Sequence, residues 1–210
     1  NANVAIDALI TLVNFCTDRW ADNFESAYSL EINFKGGKKQ SFKGNGRVFS
    51  WSQENSTSNG QLNCALAALE KWIYTKIDEK EDVESVIRTL LQNSNSVAII
   101  GVLLDVGKYK PDLFAGVLQP FLGVYELYQG DDSRVKNADL WFDAFSWVRE
   151  GEKVFEMAKE WKSAPHRKIP LRQIAVQLAF KDKKTADYIK KASKAWETSS
   201  GEEKYDLEVR

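Results

Sequence analysis

The residues of this chain that could do chemistry form few combinations. There is one histidine, His166, and there are two cysteines, Cys16 and Cys64. A zinc site needs about four such ligands, and a Ser–His–Asp or Cys–His arrangement would have to use His166. His166 lies between Pro165 and Pro170 in a basic segment, which predicts a solvent-exposed loop rather than a catalytic base. The sequence therefore predicts no catalytic residue, no metal ion and no cofactor.

Glycines and carboxylates also lack the spacing of a known site. A phosphate-binding P-loop needs Gly, four residues and then Gly-Lys-Ser/Thr, whereas Gly36-Gly37-Lys38-Lys39 is typical of a hairpin turn. The acidic run over residues 78–84 and the pair Asp131-Asp132 lack the alternating ligands of a calcium loop. We interpret the first as a solvated linker and the second as a turn that interrupts the helices. A small enzyme that depends on carboxylates alone stays as an alternative.

A basic segment near the C-terminus is the strongest candidate for binding. Between Lys153 and Lys194 there are twelve Lys and Arg residues against four Asp and Glu residues, a net charge of +8. The rest of the chain then carries −9, because the whole chain carries −1. Basic side chains next to aromatic ones can hold phosphates and stack on bases. The candidate binding residues are Lys162, Arg167, Lys168, Arg172, Lys181, Lys183, Lys184, Lys190 and Lys191.

A plainer interpretation of the basic segment is a solvated helical face, and we favour it over a nucleic-acid-binding face. Trp161, Tyr188 and Trp196 fall at core-like helical positions. Acidic residues are also interspersed, so we expect Asp182, Asp187 or the acidic run over 78–84 to lie among the lysines and pair with them. Cys16 and Cys64 lie in apolar helical patterns, where we expect reduced, buried thiols as in a cytosolic protein, with a disulfide as the alternative.

The elements that position these residues are mostly helices, because apolar residues recur with helical spacing along the chain. The spacing predicts helices over residues 3–22, 61–77, 83–92, 96–106, 140–148 and 154–161, and from 171 onward. In the helix over 96–106 nearly every residue is aliphatic, so we expect Leu103 and Leu104 to be buried. Ser94 or Asn95 is expected to cap this helix, and Gly107 to end it.

One segment changes to the period of a β-strand. Residues 28–34 alternate apolar and polar side chains, the glycines at 36 and 37 supply a turn, and residues 40–43 form a plausible return strand. Residues 48–51 are interpreted as a third short extended piece. The loop over 53–60 has no apolar residue. The alternation and the turn together predict a small β-hairpin insertion.

The sequence thus predicts a mainly α fold of helical hairpins, arranged as a solenoid-like stack or an irregular bundle, with a small β-hairpin insertion near residues 28–51. Residues 1–130 are expected to form a helical unit with the β insertion. Residues 131–210 are expected to form an aromatic and basic helical unit, either separate or continuous with the first. The apolar run over 4–15 is too short and too amphipathic for a membrane span. A chain that starts with Asn rather than Met is expected to be a fragment or a processed piece.

Three segments resemble a known family. They are VAIDALITLVNFCTDRWA at residues 4–21, LNCALAALEKWIY at 62–74, and residues 94–122. Their sequences resemble helical regions of large multidomain bacterial P-loop NTPases of the STAND-like kind, which are associated with antiphage defence. The resemblance implies a non-catalytic helical module, a sensor or scaffold downstream of an NTPase core, in the cytoplasm. Its partners would be proteins or other domains of a parent chain, with nucleic acid less favoured and no membrane.

Overall fold

The computed structural model describes residues 2–23, 29–53, 60–137 and 152–199, which form helices and one two-stranded antiparallel sheet. The mainly α fold with a small β-hairpin is confirmed. The helices are α1 (Ala2–Asn23), α2 (Gly46–Phe49), α3 (Gly60–Asp78), α4 (Glu84–Asn93), α5 (Val97–Tyr109), α6 (Tyr125–Asn137), α7 (Glu152–Lys162), α8 (Leu171–Lys181) and α9 (Lys183–Ser199). The strands are β1 (Ser29–Asn33) and β2 (Lys39–Lys43), and short 3-10 turns cover Lys35–Gly37, Pro111–Ala115, Gln119–Gly123 and Pro165–Lys168. The predicted helix over 140–148 lies outside the described residues.

Helix α5 is the centre of the fold. Every residue from Val97 to Lys108 is buried, because α2, α3, α4 and the 3-10 turn Pro111–Ala115 all pack against this helix. Leu103 and Leu104 have no exposed surface, which confirms the prediction that they are buried. A helix that is apolar on all sides is stable in water only when it is surrounded in this way.

Both ends of α5 differ from the prediction. The N-cap is Ser96, whose side chain accepts a hydrogen bond from the backbone N–H of Ala98 at 3.1 Å. Ser94 and Asn95 instead donate to the side chain of Asn14 in α1, at 3.1 and 3.0 Å. At the other end the helix continues past Gly107 to Tyr109.

Gly107 is required inside α5 by packing. A Cβ atom at this position would lie 2.4 Å from the ring of Phe114, well below van der Waals contact. The absence of a side chain therefore lets the 3-10 turn Pro111–Ala115 fold back onto the helix.

The β-hairpin packs its apolar side into the core. Leu30, Ile32 and Phe42 are at most 2% exposed, and the register pairs Leu30 with Phe42. Gly36 and Gly37 have φ angles of 84° and 78°, which are readily adopted by glycine alone. The expected third extended piece over 48–51 is wrong, because α2 begins at Gly46 and Asn45 caps it by accepting from the N–H groups at 47 and 48.

The C-terminal helices share the buried core with the N-terminal ones. Helix α6 runs across Gly130, so the expected chain break at Gly130-Asp131-Asp132-Ser133 is wrong. Leu171, Ile174 and Leu178 of α8 belong to the same cluster of buried side chains as α3 and α5. The division of the chain at residue 130 stays a prediction.

Candidate functional site

Six charged side chains are buried together at the centre of the molecule. They are three acids, Glu70 in α3, Asp105 in α5 and Asp131 in α6, and three bases, Lys108 in α5, Arg134 in α6 and Arg167 in the 3-10 turn Pro165–Lys168. Each is at most 6% exposed. We call these six residues the buried ion cluster. Its formal charges cancel when every member is ionised, which is what burial of ions requires.

Asp105 lies at the centre of the buried ion cluster. Its Oδ2 atom accepts hydrogen bonds from Arg134 Nη2, from Arg167 Nη1 at 3.3 Å and from Gln53 Nε2 at 2.8 Å. Lys108 Nζ lies 3.9 Å from Oδ1. Burial opposes ionisation, but the three cations outweigh burial and lower the pKa of Asp105 to about 2. Asp105 is therefore a carboxylate at neutral pH.

Asp131 joins α5 to the start of α8. Its Oδ1 atom accepts from Lys108 Nζ at 2.8 Å, and its Oδ2 atom accepts from the backbone N–H of Leu171 at 2.6 Å. The first N–H groups of a helix have no partner within the helix, so Asp131 satisfies one of them from another element. Burial raises the pKa of Asp131 despite the opposing effect of Lys108. The prediction that Asp131 is a turn residue is wrong, because it lies within α6.

Glu70 connects the buried ion cluster to a group of three packed rings, those of Tyr74, Tyr109 and His166. Its Oε1 atom accepts from Arg167 Nη2 and from the hydroxyl of Tyr74, each at 2.5 Å. Burial raises the pKa of Glu70 to about 7, although Arg167 opposes the rise, and Asp105 adds to it. The carboxyl group of Glu70 thus titrates near neutrality. Tyr74 keeps its proton, because burial raises the pKa of its hydroxyl.

His166 is half-buried within this group of rings, so the prediction of a solvent-exposed loop histidine is wrong. Its ring lies edge-on to Tyr74 and Tyr109, with centroids 5.1 and 5.2 Å away. Its Nε2 atom is 2.9 Å from the Tyr74 hydroxyl. Because that hydroxyl donates to Glu70, the imidazole N–H is the donor in this second bond. Burial and the neighbouring Arg167 lower the pKa of His166 to about 4, so the ring is neutral at pH 7.

The arrangement joins four parts of the chain and satisfies charges within the protein. Removing any one of the three acids would leave more buried positive than negative charge, which is a severe loss. Sequence reasoning missed the buried ion cluster. The available signal was a pair of charges, Asp105 and Lys108, at i and i+3 in a helix that is otherwise aliphatic.

The nine predicted basic residues are not all on one surface. Arg167 is buried in the ion cluster, so its assignment to an exposed basic face is wrong. Lys162 is half-buried, and burial together with Arg167 lowers its pKa to about 8. Arg172 is exposed and pairs with Asp132 at 2.8 Å. The remaining six are exposed: Lys168, Lys181, Lys183, Lys184, Lys190 and Lys191.

Asp182 lies among these lysines as expected, and its pKa is lowered by hydrogen bonds from Thr185 and further by Lys184, but no ion pair within 4 Å joins Lys181, Lys183, Lys184, Lys190 or Lys191 to a carboxylate of the described residues. Asp182 instead caps α9, accepting from the backbone N–H of Thr185 at 2.9 Å and from its hydroxyl at 2.6 Å. Two carboxylates of the acidic run over 78–84 form ion pairs with other residues. Glu81 pairs with Lys76, and Glu84 pairs with Arg88. Five exposed lysines of α8 and α9 therefore make no ion pair with a described residue: Lys181, Lys183, Lys184, Lys190 and Lys191.

Helices α1 and α8 each expose two or more large apolar side chains, whereas the described side chains of α6 and α7 include one each, Tyr125 and Met157. On α1, Val4 and Phe15 are each 63% exposed, and Leu12 is 41% exposed. On α8, Val176 is 55% exposed and Phe180 is 89% exposed. Neighbouring apolar side chains that face solvent commonly mark interaction surfaces.

A surface pocket and the metal-ligating side chains were the other candidates in the described part of the chain, and neither supports a binding site. A shallow surface pocket of about 250 Å³ is lined by Glu81, Asp82, Glu84, Asp112 and Lys110 among others. Three of its four carboxylates already have partners: Glu81 pairs with Lys76, Glu84 pairs with Arg88, and Asp82 accepts from the backbone N–H of Glu84. Within the described part of the chain, no group of three or more His, Cys, Asp or Glu side chains is placed to hold a metal ion.

Both cysteines are free thiols. Cys16 is half-buried, and burial raises the pKa of its thiol. Cys64 is exposed, so the prediction that it is buried is wrong.

No protein-family model and no curated protein matches this chain. None of the helices in its described part combines the length and the apolar composition that a membrane crossing requires.

Proposed function

We propose that this chain is a non-catalytic helical binding module that works as a scaffold or sensor within a larger protein. The observation that carries this proposal is a contrast between the centre and the surface. The acids of the buried ion cluster are bonded to its cations, whereas apolar side chains on α1 and α8 face solvent. Such a surface is suited to a macromolecular partner rather than to a small substrate.

The chemistry of the buried ion cluster supports a structural role over the alternative of a carboxylate-dependent enzyme. A general acid or base must contact the substrate, but Glu70 and Asp105 have no exposed surface. His166 already uses its Nε2 atom in the bond to Tyr74. The resemblance to STAND-like NTPases supports a cytoplasmic parent protein with a role in antiphage defence.

Photocrosslinking in cells tests the binding proposal. The photoreactive amino acid benzoylphenylalanine is placed at Phe180 in α8, at Phe15 in α1, or at Lys71, an exposed control position on α3. We expect discrete protein adducts from positions 180 and 15 and none from position 71. Adducts from all three positions, or from none, would contradict a specific binding surface.

Nucleic acid is the second candidate partner, and one observation favours it. The five lysines of α8 and α9 that lack an ion pair are Lys181, Lys183, Lys184, Lys190 and Lys191, and they lie close in sequence to the exposed ring of Phe180. Lysines of this kind bind phosphates, and an exposed aromatic ring can stack on a base.

Fluorescence anisotropy with labelled single- and double-stranded DNA and RNA distinguishes the two candidates. If nucleic acid is the partner, binding is micromolar or tighter at low salt, weakens steeply with added salt, and is lost when the five lysines are changed to Glu. If the partner is a protein, as we propose, the wild type shows no such binding and adducts from position 180 resist nuclease.

A further inference from the structure

The exposed apolar side chains of α1 form one face of that helix. With 3.6 residues per turn, Val4, Ala8, Leu12 and Phe15 lie within about 80° of one another around the axis. All four are exposed. The opposite side of the same helix is buried in the core through side chains that include Ile6, Ile10 and Val13. We call the outer side, Val4 with Ala8, Leu12 and Phe15, the α1 face.

Helix α8 has a second face of this type. Val176 and Phe180 are one turn apart, so they lie next to each other on the outer side of the helix. The inner side is fixed in the core by Leu171, Ile174 and Leu178. We call Val176 and Phe180 the α8 face.

The charges around the two faces are opposite in sign. The α8 face is followed directly by Lys181, Lys183 and Lys184, all exposed, within the segment 153–194 that carries a net charge of +8. Helix α1 carries Asp7, Asp18 and Asp22 against Arg19, a net charge of −2, and Asp18 is paired with Lys43.

These charges favour one pairing over the other two. A symmetric contact of two α8 faces would bring lysines together, and a symmetric contact of two α1 faces would bring aspartates together. Like charges across an interface oppose binding, and complementary charges favour it. The best partner for the α8 face that this molecule itself offers is therefore the α1 face of another copy.

We propose that copies of this chain associate head to tail, with the α8 face of one copy packed on the α1 face of the next. This inference rests on the proposed scaffold function and names a second copy as the partner. Because the two surfaces differ, the contact is heterologous, and each copy keeps one free face after pairing. Association then continues beyond the dimer into open chains or closed rings.

Sedimentation velocity over a concentration series at low salt tests this proposal, using the wild-type chain and two single variants. Phe180→Asp puts a negative charge into the α8 face but leaves the α1 face intact. Phe15→Asp puts a negative charge into the α1 face and leaves the α8 face intact. For the wild type we expect a mass that grows with concentration beyond that of a dimer and falls when salt is added.

Each variant alone is expected to stay a monomer, because it lacks one of the two faces. An equimolar mixture is expected to form a dimer and nothing larger, because only one intact pair of faces can be made between the two variants. Ser85→Asp adds the same charge at an exposed position of α4 and is expected to assemble like the wild type. Far-ultraviolet circular dichroism confirms that every variant is folded.

A wild type that is monomeric throughout would overturn the proposal, as would a mixture that remains monomeric. So would assembly that one variant abolishes and the other retains, since that result indicates a symmetric contact. These failures are separate from failure of the scaffold function. If the wild type is a monomer but positions 15 and 180 crosslink to another protein, only the self-association is wrong.

Discussion

Changing Asp105 to Asn tests whether the buried ion cluster supports the fold. The two side chains have nearly the same shape, so the change removes the negative charge and leaves the packing almost unaltered. Asp105 accepts from Arg134 and, at 3.3 Å, from Arg167, and Lys108 lies 3.9 Å away. Losing the partner of one buried ion costs about 3–5 kcal/mol. With two guanidinium groups affected, we expect the free energy of unfolding to fall by at least about 3 kcal/mol.

Urea unfolding followed by tryptophan fluorescence measures this loss. Asp18→Asn is the matched control, because Asp18 also pairs with a lysine, Lys43, at 2.6 Å, but both side chains are about half exposed. An exposed pair contributes up to about 1 kcal/mol. If Asp105→Asn is too unstable to titrate, Asp105→Asn with Arg134→Met is expected to be more stable than the single variant, because one unpaired cation is gone. Equal losses for Asp105→Asn and Asp18→Asn would refute the reasoning.

Three further changes test other parts of the fold by the same measurement. His166 has a pKa of about 4 in the folded protein against an ordinary 6.5, so the unfolded state binds more protons at this ring between these values and the contribution of His166 to stability falls as pH drops from 6.5 to 4. The raised pKa of Glu70 contributes in the opposite direction, so the effect of His166 is measured as the difference between wild type and variant. His166→Gln is expected to lose less stability over that range, and equal pH dependence would show that the ring is not responsible. Leu104→Ala is expected to cost about 2–5 kcal/mol as a core truncation, so a loss below about 0.5 kcal/mol would contradict its burial. Gly107→Ala is expected to cost about 1–3 kcal/mol, because the added Cβ atom meets the ring of Phe114. Gly60→Ala is the control and is expected to be tolerated, because there is open space around Gly60. A stabilised Gly107→Ala variant would disprove the close approach.

Elements that depend on local pattern could be predicted from the sequence. The hairpin has two agreeing signals, the alternation over residues 28–34 and the turn glycines. The burial of Leu103 and Leu104 follows from an aliphatic run that leaves no polar face. Neither inference needs knowledge of what the segment packs against.

Features that depend on distant partners could not be predicted in the same way. Gly130-Asp131-Asp132-Ser133 has the composition of a turn, but Lys108 and the N–H of Leu171 bind Asp131, and the segment stays helical. Arg167 sits among other basic residues in the sequence, and its burial follows from Glu70, which is 97 positions away. Composition indicates charge, whereas the partner that allows a charge to be buried is set by the tertiary fold.

The separation in sequence of the paired charges has a consequence for folding. Glu70 and Asp105 obtain cations from Arg134 and Arg167, which are 29 to 97 positions further along the chain. A partly folded state with α3 and α5 packed but α6 and the turn at 165–168 undocked would hold two buried acids without their guanidinium partners, which is strongly unfavourable. We therefore expect the cluster to make the early and late parts of the chain unfold as one cooperative unit. A piece that stops at residue 130 keeps α5 but loses both arginines, so it is expected to lack a stable fold of its own.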